Sequence, residues 1–266
     1  MMTRFLFALC ILPRLLAASI PDDVVEKTGM FGMCNYILSL LSAYERKSID
    51  RLKIDFGTKG VFYEESKGLN WWSYYFEPLD LTPNSIERTT NLIPLNSLAM
   101  REQNHALYKK YIRIKPFLHE KATHFQKQNF KTPFTIGVHY RGTDKKEEYP
   151  RTPYFRMKQK IKDIAVRYRL KNYQIFVATD EVEFIEYLKK EFGPKVIYTP
   201  STRSTTMEPI HFNSKNPFLI GQEAILDCLL LSKCQYLIRT QSNLSSFSTF
   251  INPQLPTEIV SVVIGR

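Results

Sequence analysis

The sequence predicts an α/β protein whose second half carries a parallel sheet with helices on both faces. Two observations lead there. From residue 134 to residue 251, short apolar runs of strand length alternate with amphipathic helical stretches, and three of the runs stop at residues able to bind an anion or a base, His139, Asp180 and Ser242. Alternating strand and helix builds parallel sheets, whose ligands sit at the carboxyl ends of the strands, so these three residues are expected to face one crevice.

The elements follow in order. Residues 1–19 hold two Arg and no acid, and an apolar run at 5–12 precedes the small residues Ala17, Ala18 and Ser19, which reads as a signal peptide. The run is far shorter than the roughly 20 residues of a spanning helix, so membrane association is expected only through this segment. Between residues 30 and 44, Met33, Tyr36, Ile37, Leu40, Leu41 and Tyr44 recur at three and four, the period of a packed helix entered through Gly29 and Gly32. Residues 52–56 alternate like a half-buried strand ending at Gly57. The aromatic stretch 71–76 reads as a loop packed on the core, with a sugar-stacking platform as the alternative. Residues 84–91 are a polar connector and 98–125 one helical stretch.

A boundary near residues 129–133 separates an N-terminal unit, 20–130, from a C-terminal unit, 131–266. The C-terminal unit reads as strand 134–138, helix 153–170, strand 174–179, helix 182–192, strand 195–198, a polar loop holding His211, helix 221–231, strand 236–239 and helix 245–251.

The chain of 266 residues is 44% hydrophobic, enough for one sizeable core or two compact ones, and carries a formal charge of +11. Lys and Arg are spread along the chain without a zinc-finger, RNP or helix-turn-helix signature, so nucleic acid is set aside in favour of a phosphorylated small molecule. Beyond the leader, Cys34, Cys228 and Cys234 remain, in apolar surroundings that suit buried thiols and with no spacing that suits a metal.

The chemistry concentrates in His139-x-Arg141-x-Thr143-Asp144. A planar Arg fork chelates a diphosphate, and an imidazole bonds a base or phosphate. Alone, the segment reads equally well as a basic loop closed by an Arg141 to Asp144 ion pair. The stretch 240–245 opens a helix, where backbone N–H groups and the helix dipole favour an anion, with Ser242 as donor or ordinary N-cap. Asp227 lies among Leu226, Cys228, Leu229 and Leu230 and needs a partner, either a structural donor or a nucleobase nitrogen.

These residues resemble the fucosyltransferases of the alpha-1,6, alpha-1,2 and protein O-linked type, including the bacterial nodulation enzymes. The first motif of that group, His-x-Arg-Arg-x-Asp, is similar to residues 139–144; the second resembles 177–181; the third resembles 225–232 running on to Ser242 and Asn243. A weaker similarity reaches 29–36 and 71–78. The resemblance implies a GT-B-like fold of two Rossmann-like domains with parallel sheets facing a central cleft, and an inverting, metal-independent transfer from GDP-fucose to a glycan or protein hydroxyl. No Asp-x-Asp metal motif occurs in the sequence. The resemblance further implies Arg141 on the diphosphate, His139 and Asp227 near guanine, Ser242 and Asn243 on phosphate oxygens, and Gly32 and Met33 as backbone donors. The second Arg of the group is Gly142 here, so a cationic contact is lost or another residue, such as Lys145, supplies it. Glu148 is the expected catalytic base, with Glu147 second. A binding module without catalysis is the alternative function. A cleaved leader implies export or the secretory pathway, and an uncleaved one the cytoplasm.

Overall fold

The computed structural model describes residues 24–25, 33–34, 37, 53–54, 56–58, 60–78, 97–143, 151–206, 210 and 215–261. The expected leader, Gly32, Asp144, Lys145, Glu147, Glu148 and His211 lie outside them. In the first half, β1 (Val24–Val25) pairs in parallel with β2 (Lys53–Ile54), Met33, Cys34 and Ile37 are helical, and two short 3-10 turns follow at Glu65–Lys67 and Trp71–Tyr74.

Helix α1 (Leu98–Tyr111) and helix α2 (Pro116–Asn129) replace the single helix expected over 98–125. The break has a local cause: Pro116 cannot donate to a preceding turn and drives Lys115 to φ −58, ψ 143, away from helical space. The freed backbone is used elsewhere, since Ile114 bridges Phe76 and the Lys115 N–H donates to the Tyr75 carbonyl at 2.9 Å.

The remainder is β3 (Thr135–Tyr140), α3 (Tyr154–Arg167), β4 (Gln174–Thr179), α4 (Val182–Phe192), β5 (Val196–Ile197), α5 (Pro217–Ser232), β6 (Tyr236–Arg239), α6 (Asn243–Ile251) and β7 (Thr257–Ile259). The five strands pair in parallel in the order β5-β4-β3-β6-β7. β7 was not expected; it follows Pro256 and is too short to show a period. Helix α5 starts one turn before expectation because Asn216 caps it, accepting from the Leu219 N–H at 2.9 Å, with Pro217 in the first helical position.

Strand alternation divides the core. Ile136, Val138, Tyr140, Ile175, Val177 and Ile238 face α3 and α4, meeting Met157, Ile161, Phe184 and Leu188. Phe176, Ala178 and Leu237 belong to the other cluster, with Leu118, Ile225, Leu230 and Phe247 of α2, α5 and α6. Trp71, Trp72, Tyr75 and Phe76 join that second cluster, each at most 4% exposed, so the aromatic stretch is core rather than a platform. Cys34 and Cys228 are buried thiols with their sulfurs 3.4 Å apart.

The entry to β3 is held by one buried side chain. Gln174 Oε1 accepts from the backbone N–H groups of Lys131 and Thr132 at 2.8 and 3.1 Å, and its Nε2 donates to the Asn129 carbonyl at 2.9 Å. Gln174→Leu strands those groups, and the expected loss is about 2 to 3 kcal/mol of unfolding free energy, measured by urea titration; a loss under about 0.5 kcal/mol contradicts this reading.

Candidate functional site

The site grows from the carboxyl ends of β3, β4 and β6. His139 and Arg239 are register partners on β3 and β6, and both side chains fall on the α5 and α6 side by alternation. Beyond β3, the Arg141 N–H donates to Thr240 Oγ1 at 3.0 Å, while the Thr240 N–H donates to the His139 carbonyl at the same distance. These bonds tie the His139 segment to the start of α6. Asp180 ties it to β4: its carboxylate accepts from the Gly142 N–H at 3.3 Å and the Thr143 hydroxyl at 2.6 Å, and pairs with Arg141 Nη1 at 3.2 Å.

His139 is 3% exposed, and its Nδ1 is buried with no hydrogen-bond partner among the described residues. Burial, then the Arg141 and Arg239 guanidiniums, push the imidazole down to about 3, so the ring is neutral at physiological pH. A neutral ring offers one N–H and one acceptor, so one hydrogen-bonding position of the buried ring is unused among the described residues. Arg141 keeps a fifth of its side chain exposed. Ser242 is the N-cap of α6, accepting from the Leu244 N–H at 3.3 Å, and the leading N–H groups of the helix point at the same crevice end.

Asp227 is 7% exposed on α5. The structure supplies a donor in Thr199, whose hydroxyl reaches Oδ1 at 3.2 Å. Burial pushes the carboxyl up to about 7, against the pull of the Arg203 guanidinium and Thr199. The next residue, Cys228, donates to the Leu244 carbonyl at 3.5 Å, which places this stretch of α5 against the first turn of α6. Met33 packs in the core, its methyl 3.0 Å from where a Cβ on Gly221 would lie. His139, Arg141, Ser242 and Asn243 thus gather at one end of the sheet, Asp227 lies on α5 against Thr199 and Arg203, which follow β5, and Gly32 and Glu148 are outside the described residues.

Several residues of the site were not expected. Glu181, next to Asp180, points to the opposite face of the sheet and is 2% exposed; it pairs with Arg151 at 2.8 Å and accepts from the Tyr154 hydroxyl. Arg151 also donates to Tyr140 Oη at 3.2 Å, and the Tyr140 hydroxyl donates to the Thr152 carbonyl at 2.8 Å. This cluster explains Gly142: a Cβ there would lie 2.0 Å from Glu181 Oε1 and 2.6 Å from Tyr140 Cε1. Any side chain at 142 collides with a buried carboxylate that two donors hold in place. The sequence signals for Glu181 were an acid ending a buried strand and its place in 177–181, the stretch that resembles the second fucosyltransferase motif.

A concavity of about 360 Å³ elsewhere is lined by Lys67, Ser73, Tyr74, Glu77, Lys115 and Phe218, among others. Among the described residues, no group of three or more His, Cys, Asp or Glu side chains is placed to hold a metal ion, and no helix is long and apolar enough to cross a membrane.

Fold and site together define an α/β protein in which an arginine and a helix start converge at the carboxyl ends of a parallel sheet. No protein-family profile matches the chain, and no curated protein matches it in sequence. Solved structures do. The fucosyltransferase NodZ from Bradyrhizobium matches with TM-score 0.61 and 16% identity over 91% of this chain and 95% of that one. NodZ alpha-1,6-fucosyltransferase co-crystallised with GDP matches with TM-score 0.60 and 15% identity over 88% and 93%. A mutant of Arabidopsis thaliana FUT1 in complex with GDP matches with TM-score 0.52 and 14% identity over 89% and 70%. The fold is the one seen in these GT-B fucosyltransferases.

Two outcomes follow from the geometry. Gly142→Ala is expected to lower stability by about 1 to 3 kcal/mol through overpacking against Glu181, while Glu181→Ala with Gly142→Ala restores part of the loss; additive losses in a double-mutant cycle contradict the contact. For Asp227, the folded carboxyl holds its proton up to about 7 against 3.8 in a free chain. Unfolding therefore releases a proton across that window, and stability falls as pH rises through it. Asp227→Asn is expected to flatten this slope, narrowing its advantage over the wild type as pH drops from 8 to 5 in denaturant titrations.

Proposed function

We propose that this chain is an inverting, metal-independent glycosyltransferase that transfers fucose from GDP-fucose to a hydroxyl of a glycan or glycoprotein. The observation that carries the reading is the buried, neutral His139, whose Nδ1 has no hydrogen-bond partner among the described residues, set beside Arg141 and the start of α6, on the fold of fucosyltransferases two of which were solved with GDP.

In this reading the diphosphate lies at Arg141 and the leading N–H groups of α6, with Ser242 and Asn243 on its oxygens; Gly32 and Met33 add backbone donors. His139 and Asp227 receive guanine. The acceptor oxygen attacks the anomeric carbon, the bond to the β-phosphate oxygen breaks, and its electron pair leaves with GDP. Arg141 and the helix start offset the charge that develops on that oxygen. Glu148 takes the acceptor proton. The N-terminal unit, 20–130, supplies the acceptor side of the cleft as a second Rossmann-like domain in this reading, except that its residues 71–76 and α2 share the core of the sheet, and the C-terminal unit, 131–266, holds the donor. Residues 1–19 act as a signal peptide and direct the enzyme to the secretory pathway or outside the cell, where GDP-fucose has to be imported because sugar nucleotides are made in the cytosol.

A non-catalytic nucleotide-sugar-binding module has one observation in its favour. Glu181 occupies the space a second arginine at 142 would need, so Arg141 lacks an arginine neighbour at that position. Kinetics separate the two. Arg141→Ala is expected to lower GDP affinity at least about 100-fold by calorimetry, as loss of a charge-assisted bidentate contact does, and Glu148→Gln to leave GDP affinity intact while cutting fucose transfer by about 100-fold or more. Wild-type GDP binding without GDP release from GDP-fucose against a panel of acceptors favours the module; unchanged turnover in Arg141→Ala sinks the donor assignment.

A further inference from the structure

Two cysteines that lie 194 positions apart in the chain, Cys34 and Cys228, meet in the core with their sulfurs 3.4 Å apart. Neither reaches solvent appreciably: Cys34 is 4% exposed and Cys228 fully buried. Cys34 belongs to a helical segment, residues 33, 34 and 37, whose side chains lie in the same buried cluster as α5. On α5, Gly221 receives Met33 and Cys228 receives Cys34. Those two positions are about two turns apart on one face of the helix. The cysteines therefore face each other across the seam where the first half of the chain is pressed on α5.

The surroundings tolerate loss of both thiol hydrogens. The Cys228 thiol donates to the Leu244 carbonyl at 3.5 Å, so within the pair Cys34 donates and the Cys228 sulfur accepts. Once the hydrogens leave, the Leu244 carbonyl keeps the Ser248 hydroxyl at 3.2 Å, and no buried polar group is stranded. Reaching the length of an S–S bond brings the sulfurs together by about 1.4 Å, a shift of the size that side-chain torsions absorb. Cys234 shows the contrast: it is also buried, but just past the end of α5 it gives its S–H to the Leu230 carbonyl at 3.4 Å rather than to a sulfur. In the folded chain the pair is inert. Burial, then the Cys34 thiol beside it, hold the Cys228 thiol well above the usual range, and only a thiolate attacks a disulfide. Both thiols are open to an oxidant while the chain folds, before the seam closes.

We propose that Cys34 and Cys228 join in a disulfide when the chain folds in the presence of a small-molecule disulfide such as oxidised glutathione. One cysteine thiolate attacks a glutathione sulfur, a mixed disulfide forms and the first glutathione leaves; the second thiolate attacks the protein sulfur of that mixed disulfide and expels the other glutathione. The chain gives up two protons and two electrons, and one oxidised glutathione becomes two reduced ones. The bond staples the segment holding Met33 to the helix that carries Asp227, and closing so long a loop strongly restricts the unfolded chain. Such bonds persist in oxidising compartments, in keeping with the leader read in residues 1–19. The bond does not depend on the donor reading, since no nucleotide takes part in its formation.

The test oxidises the full chain as it folds. The reduced, denatured chain is refolded in a buffer of reduced and oxidised glutathione, free thiols are alkylated, and the unreduced digest is mapped by mass spectrometry. A peptide pair linked through Cys34 and Cys228 is expected, with Cys234 alkylated. The linked chain is expected to melt about 5 °C or more above the same chain kept in reductant, and Cys34→Ala to melt at one temperature under both conditions. Cys34 and Cys228 both alkylated in the refolded chain overturn the proposal, as does linkage of either one to Cys10, Cys234 or glutathione in place of the pair. Should the chain fail to refold, the same map is made on chain synthesised in a cell-free extract holding the same glutathione buffer, and the same two outcomes decide.

Discussion

The carboxylate of Asp180 is where the geometry of the crevice is decided. Three successive residues leaving β3 converge on it: the Arg141 guanidinium, the Gly142 N–H and the Thr143 hydroxyl. Hydrogen bonds to a charged group contribute about 1.5 to 3 kcal/mol each, and together they turn a strand exit that would otherwise be a floppy basic loop into a fixed wall. The neighbouring acid has the opposite task. Strand alternation sends Glu181 to the far face, where Arg151 and Tyr154 hold it, so two consecutive carboxylates grip the β3 exit from both sides of the sheet. Arg141 can lean on one of them only because Gly142 leaves room for the other.

How much of this was legible in the sequence depends on whether the cause was local. Residues 174–179 and 236–239 were readable as strands because a parallel sheet covered on both faces selects continuous apolar runs, and turn residues close them. Helix 182–192 matched its expected bounds for the same reason, ending at Gly193 with φ 58. The break before Pro116 was a local signal that the amphipathic period masked. β7 had no period to read, since its three residues are strand only because β6 lies beside them.

The site divides in the same way. His139, Arg141 and Ser242 stood out because each follows a strand. Arg239, Glu181, Arg151 and Thr199 did not, because their roles arise from register, from contacts between distant positions such as Thr199 with Asp227 and Arg151 with Glu181, or from burial at a strand end, none of which leaves a pattern in the local sequence. Asp227 lay between these cases: its apolar neighbours announced that it needed a partner, and only the fold identified Thr199. The similarity to NodZ at 16% identity and TM-score 0.61 carries the same lesson, since apolar pattern and turn positions preserve an architecture long after individual side chains have changed.

The last strand has a consequence for the chain outside any question of catalysis. β7 takes up the free side of β6, and the Val260 N–H closes the ladder on the Arg239 carbonyl at 2.8 Å. Without residues 257–260, β6 would present an open row of peptide groups on a hydrophobic strand, the arrangement on which foreign strands add and aggregates grow. Those few residues become the edge in its place, short and carrying Glu258, which Lys160 and Arg167 hold at 2.9 and 2.7 Å, and a short edge with a charged side chain is a poor template for a neighbouring strand.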